Sequence, residues 1–140
     1  MILLDTNVLS ELMKKTPDTQ VIDWLDRQAR LSIWTTTVTI LEIRFGLQIL
    51  PAGKRRELLM EAFEVTLATK IERRVAVFDL VAAQHTADLM TARQKAGRPG
   101  DLRDTMIAGI ALAANARLAT GNTRHFEDLR VQVINPWTDH

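Results

Sequence analysis

After Met1, three apolar residues, Ile2-Leu3-Leu4, stop at Asp5, and Val8, Leu9, Leu12 and Met13 follow at helical spacing. A run this short and wholly apolar, feeding a helix at once, predicts a strand buried on both faces of a parallel sheet. The alternation recurs. Leu31 to Val38 is rich in β-branched residues and reads as a second strand. A helix holding Ile40, Leu41, Ile43, Leu47 and Leu50 comes next, closed by Pro51-Ala52-Gly53. Val75 to Phe78, Arg117 to Thr120 and Val131 to Ile134 read as the third to fifth strands. Helical patterns fill the gaps: Val21 to Ala29 after Pro17, Arg55 to Ala68 with a Leu58, Leu59, Ala62, Phe63 stripe, Leu80 to Lys95, and Asp101 onward through Met106, Ile107 and Ile110. Strands separated by helices predict one α/β domain, a three-layer α/β/α sandwich around a mainly parallel five-stranded sheet with right-handed crossovers.

Composition narrows the function classes. The 140 residues are 46% hydrophobic and 25% charged, enough apolar content for a packed core and too much for a disordered chain. No stretch approaches the ~18 apolar residues of a membrane-spanning helix. Net charge is +1, so attraction to nucleic acid must come from a local patch or bound cations. The chain has no cysteine, which excludes disulfides, a thiol nucleophile, a zinc ribbon and an iron–sulfur site. Acid follows the first apolar run too soon for a signal peptide, and the expected location is the cytoplasm.

In parallel sheets ligands gather beyond the carboxyl ends of the strands. Asp5 ends the first strand, Glu42 lies one turn into the helix after the second, Asp104 lies in the first turn of the helix before the fourth, and Asn122 follows the fourth. Three carboxylates and an amide carbonyl make a hard oxygen site suited to Mg²⁺ or Mn²⁺. Each residue also has a plainer reading. Asp5 can cap the helix after it, Thr39 to Glu42 and Asp101 to Asp104 have capping-box spacing, and Asn122 can serve a turn. Gathering at one sheet edge is what separate caps do not explain. Like charges held together would raise one another's pKa values, and a divalent cation would relieve them.

These segments resemble a known family. Leu3-Leu4-Asp5-Thr6-Asn7, Thr37-Val38-Thr39-Ile40-Leu41-Glu42, Asp104-Thr105-Met106-Ile107-Ala108 and Thr120-Gly121-Asn122-Thr123-Arg124-His125-Phe126 are similar, in order and spacing across the whole chain, to the four motifs of PIN-domain proteins. The ending Asn135-Pro136-Trp137 resembles the FitB-type branch of the VapC toxins. The resemblance implies a Mg²⁺-dependent endoribonuclease, with Mn²⁺ as substitute, from a type II toxin–antitoxin system. Asp5, Glu42 and Asp104 would form the metal site and Asn122 its fourth, neutral member, with Asp101 a secondary candidate. Asp5 and Asp104 would hold the ion and Glu42 would orient water.

The resemblance further implies an RNA substrate, a homodimer and a cognate VapB/FitA-like antitoxin, with DNA bound only through the antitoxin. Thr6 and Thr120 can bond the carboxylates or a phosphate, or only local backbone. Arg44, Lys54, Arg55 and Arg56, then Arg93, Lys95, Arg98 and Arg103, and finally Arg124 are candidates for placing phosphates, against the plainer reading of a solvated charged surface. With 5% aromatics and no Tyr, extensive base stacking is excluded and recognition by RNA shape is expected. His85 and His125 read as surface or packing residues, and His140 as an unordered end. Leu9, Leu12, Met13, Trp24 and Ile49 would either accept an antitoxin helix or pack the core. Two alternatives are a phosphatase of the haloacid-dehalogenase type, which needs a second Asp where Asn7 stands, and a non-catalytic protein-binding PIN domain.

Overall fold

The computed structural model describes residues 1–139; His140 lies outside the described residues. The strands β1 (Ile2–Leu4), β2 (Ile33–Thr36), β3 (Val75–Ala76), β4 (Arg117–Ala119) and β5 (Val133–Ile134) form one sheet in the order β3-β2-β1-β4-β5, every pairing parallel. The helices are α1 (Thr6–Leu12), α2 (Thr19–Asp26), α3 (Thr37–Gln48), α4 (Lys54–Thr66), α5 (Leu80–Lys95) and α6 (Leu102–Ala114). β1 is central, and its alternating side chains feed two cores. Ile2 and Leu4 join α1 to α4 on one face, and Leu3 joins α5 and α6 on the other. The three-layer α/β/α sandwich is the expected one.

Strand order places the site. From β1 the chain winds outward through β2 and β3, then returns to the opposite side of β1 for β4 and β5. The two directions part at the carboxyl ends of β1 and β4, the place where such sheets open a ligand crevice. Asp5 and Thr120 stand there, one residue beyond each strand.

Strand ends differ from the sequence reading for local reasons. β2 is shorter than Leu31 to Val38. Residues Arg30–Ser32 make a 3₁₀ turn, and the Thr36 hydroxyl accepts the Thr39 N–H at 3.1 Å, starting α3 at Thr37 despite the β-branched run. A cap that satisfies a free N–H outweighs strand propensity here. β3 stops at Ala76 because Asp79 caps α5 through the Ala82 N–H at 2.9 Å. β4 and β5 are each shortened, to Ala119 and from Val133. α2 ends at Asp26, before Ala29. Leu41 and Leu58, expected inside, are exposed. With Phe45 and Ile49, Leu41 forms a line of exposed apolar side chains four residues apart along α3. Leu9, Leu12 and Trp24 are buried and Met13 is partly buried against their cluster, so of the residues considered for an antitoxin groove Ile49 is the exposed one.

α6, which carries Asp104, is held against α5 by close backbone approach at Gly109. A Cβ there would overlap the Thr86 hydroxyl and lie 2.8 Å from the Ala82 carbonyl oxygen. Thr86 is buried and already donates to that carbonyl at 2.8 Å, so it has no free direction to yield. Elsewhere in a helix, Gly→Ala is stabilising by about 0.5–1 kcal/mol. Gly109→Ala is instead expected to destabilise by about 1–3 kcal/mol, the usual cost of overpacking. Urea unfolding reads the difference, and a gain in stability would show that the two helices separate freely.

Candidate functional site

Asp5 is 2% exposed and caps α1. Its Oδ1 accepts the Thr6 N–H at 2.8 Å; its Oδ2 accepts the Thr120 hydroxyl at 2.7 Å and the Asn7 amide at 3.1 Å. The capping reading is therefore realised, and the same carboxylate also takes donors from the turn after β4 and from Asn7. Asn7 turns its carbonyl the other way, accepting the Gly121 N–H at 2.9 Å, and so clips the start of α1 to the turn after β4. The position where a dehalogenase-type phosphatase needs its second acid is thus a neutral clip. Trp137 closes the same turn from outside: a Cβ on Gly121 would sit 2.9 Å from the indole. The Asn135-Pro136-Trp137 ending thereby props the loop that carries Asn122.

Glu42 reaches the site from α3. Its Oε1 accepts the Thr6 hydroxyl at 2.8 Å, and Arg103 lies 3.7 Å from its Oε2. It does not close a capping box, because Thr36 rather than Thr39 caps α3. Asp104 comes from the first turn of α6, whose cap is Asp101: the Asp101 carboxylate accepts the Asp104 N–H at 3.0 Å. Asp104 Oδ2 lies 2.7 Å from His125 Nδ1.

Asp5 feels the charges of the other two carboxylates. The pKa of Asp5 is raised above its ordinary 3.8, chiefly by burial, with the Thr120 and Thr6 hydrogen bonds pulling it back and the charges of Asp104 and Glu42 pushing it further up. Residues from β1, α3 and α6 are thus in one electrostatic neighbourhood. Asn122 lies beside them on the exposed turn, its N–H donating to Thr120 Oγ1 at 3.0 Å.

The donor chemistry suits a hard divalent cation, since each carboxylate keeps lone pairs beyond the hydrogen bonds it accepts. Among the described residues no three His, Asp or Glu side chains already enclose a single ion position. Mg²⁺ keeps several waters and takes only one or two direct carboxylates.

The basic candidates divide. Arg93 is buried and bonded through all three of its nitrogens. Its guanidinium donates twice to Asp128 at 2.8 Å, to the Thr105 hydroxyl at 3.0 Å and to the His125 carbonyl at 2.8 Å. It holds Asp128 below the ordinary carboxylate range. Its role is to lock the His125 turn onto α5 and α6, and it is not available to a phosphate. Arg44 pairs with Glu64 of α4 at 3.6 Å, and two residues along a helix from Glu42 it projects away from the acids. Arg103 faces Glu42. Arg124 borders Asp104 and His125 around a cavity of about 760 Å³. The sequence reading missed Asn7 and His125 as parts of the site. The first looked like a motif residue without a task, and the second lies 21 positions from its partner, with no spacing signal to link them.

The PIN domain model matches residues 2–131. The chain is similar to the VapC ribonuclease Y4jK of Sinorhizobium fredii, 40% identical over 137 residues and covering 98% of each chain. It is also similar to the toxin FitB of Neisseria gonorrhoeae, 32% identical over 139 residues, covering 99% of this chain and 100% of FitB. The crystal structure of FitAcB from Neisseria gonorrhoeae has a TM-score of 0.87 to it at 32% identity, with 99% of each chain covered.

The electrostatics give a test. With its pKa raised, Asp5 binds a proton more tightly in the native state than in the unfolded chain. Its contribution to stability therefore falls as pH rises from 3.8 through the native value. Without divalent cations, the melting temperature of the wild type minus that of Asp5→Asn is expected to decline across that interval. A flat or rising difference would mean the carboxylate is not desolvated.

Proposed function

The chain belongs to the PIN-domain family, and from that premise we propose that it is the toxin of a type II toxin–antitoxin pair, an endoribonuclease that uses Mg²⁺, or Mn²⁺ in its place. One observation carries this reading: Asp5, from the end of the central strand, is buried within electrostatic reach of Glu42 and Asp104, which arrive from two other elements. Asp5 and Asp104 would hold the ion, with Glu42 beside it and the Asn122 amide as a neutral fourth member. When bound, it would supply a water acidic enough to lose its proton near neutral pH and positive charge beside the phosphate.

The chain's own groups do the positioning. Thr120 and the Thr6 N–H fix both oxygens of Asp5, so its remaining lone pairs keep one direction. The Thr6 hydroxyl orients Glu42, and His125 orients Asp104. Thr6 and Thr120 thus serve the carboxylates rather than the substrate. Arg124, on the rim beside Asp104, is placed to attract a backbone phosphate. The names of the relatives support both halves of the reading, one being called a ribonuclease and another a toxin. On the same reading the chain works as a homodimer, restrained by a VapB/FitA-like antitoxin that supplies the DNA contacts. The exposed Leu41, Phe45 and Ile49 line supports a protein partner, because apolar side chains in a row gain by being covered. Among the described residues no helix is long and apolar enough to cross a membrane.

Purified chain freed of antitoxin is expected to cut RNA with Mg²⁺ or Mn²⁺ and not in EDTA. Asp5→Asn and Asp104→Asn should each lose at least about 100-fold in rate, since even groups that only support metal ligands are worth ~10–100-fold. Both variants cutting like the wild type would overturn the proposal. Substituting Arg44→Ala should leave the rate within about threefold, because a half-exposed pair facing Glu64 is worth little.

A further inference from the structure

The cavity of about 760 Å³ beside Asp104 has a task the acids do not explain. It lies between the end of α5, the Gly97–Gly100 loop, the start of α6 and the turn after β4. Asp104 is on its rim, whereas Asp5 and Glu42 do not line it, so it opens sideways from the acidic site. One wall is apolar, made by Ala92, Ala96 and Pro99; Arg98 and Arg124 bring guanidinium groups to it, and the carboxylates of Asp101, Glu127 and Asp128 also line it, the last taken up by Arg93 and the first by the α6 cap. Neither arginine makes an ion pair among the described residues. The floor is stiff, because the buried Arg93 ties the turn to both helices.

Resting on the nuclease reading, we propose that this cavity receives the base of one unpaired nucleotide next to the phosphate cut at the acidic site. The volume lies in the range of small-molecule sites, with space for one nucleotide. The pairing of chemistries fits: an apolar wall for the face of a base, and guanidinium planes that both stack on bases and bond phosphates. It also answers a shortage in the composition. With no Tyr and 5% aromatics the chain lacks the rings on which unpaired bases ordinarily stack, and the proline and arginines supply flat surfaces instead. Because Asp104 belongs to both places, a nucleotide in the cavity is the neighbour of the one being cut.

Ala96 is exposed at the end of α5, so Ala96→Trp fills the cavity without entering a core. The probe is a fluorescein-labelled RNA hairpin with an unpaired loop, plus a set carrying one abasic nucleotide at each loop position. Binding is read by anisotropy in the Asp5→Asn background, which keeps the RNA intact. Ala96→Trp is expected to weaken the intact hairpin about tenfold, in the range of one lost stacking contact. One abasic position should weaken the unplugged protein equally and add nothing to Ala96→Trp. The Arg98→Ala, Arg124→Ala double variant, which removes only exposed side chains, should also lose the dependence on that one abasic position, a readout that loss of phosphate attraction alone does not move, so the proposal does not rest on one bulky substitution. Unchanged binding in both the Trp and the double-alanine proteins would overturn the cavity while leaving the nuclease reading intact. Additive losses at every abasic position would overturn it too. So would an Ala96→Trp protein that binds RNA normally but no longer binds an antitoxin tail peptide, because the cavity would then belong to a protein. If the wild type cuts no RNA with Mg²⁺ or Mn²⁺ and Ala96→Trp still weakens binding, the cavity stands and the nuclease reading falls.

Discussion

A negative charge held out of water at the end of the central strand is the constraint on which the rest of this molecule depends. Asp5 receives its stabilisation from neutral donors: the Thr6 N–H, the Thr120 hydroxyl and the Asn7 amide. The N-terminus of α1 adds a partial positive charge, which helps a carboxylate at that position. Burial still wins, for the pKa is raised despite these bonds. Ionised Asp5 therefore costs the fold some stability at neutral pH.

The surrounding architecture reads as a set of devices that hold the acids in place against their repulsion. Asn7 joins the β1 and β4 ends through one amide used in both directions. Gly121 lets Trp137 press on that junction, and Gly109 lets α6 approach α5. Arg93 then fixes the His125 turn to both of those helices. A cation that is buried, bidentate to one carboxylate and bonded to two further oxygens has all of its attraction directed inward. Removing it would leave Asp128 and the Thr105 hydroxyl short of a partner and free the loop that bounds both the acidic site and the cavity.

The sheet, the order of elements and the nearness of Glu42 and Asp104 to Asp5 were legible in the sequence because each residue sits at a recognisable strand end or helix start. Ile2-Leu3-Leu4 is a short, wholly apolar run that suits a strand buried on both sides, and Asp104 sits three residues after a helix cap. The shortfalls have a common physical origin. The β2 end was read from the β-branched run, while the Thr36 side chain, turning back on Thr39, decided it. Arg93 looked like one of several surface cations because its partners lie on two distant elements, and nothing in a local stretch of sequence announces a tertiary ion pair. His125 was missed for the same reason. Leu41 fits a helical stripe as well as Ile43 does, and periodicity alone does not say which flank of the stripe faces the sheet.

The allocation of counter-charge within the site explains where its affinity must lie. Glu42 has Arg103 nearby, though at 3.7 Å and half exposed to water, so little is gained there. Asp104 has His125, which offers a full charge only when protonated. Asp5, the deepest of the three, pairs with no cation among the described residues. The chain therefore supplies positive charge at the rim and withholds it at the centre. A cationic group that reached the centre would meet a carboxylate already dehydrated and already oriented, so most of the cost of forming the contact has been met in folding. On the proposed reading, the deficit that costs the fold stability at Asp5 would be returned as binding free energy by a positive group that reached it.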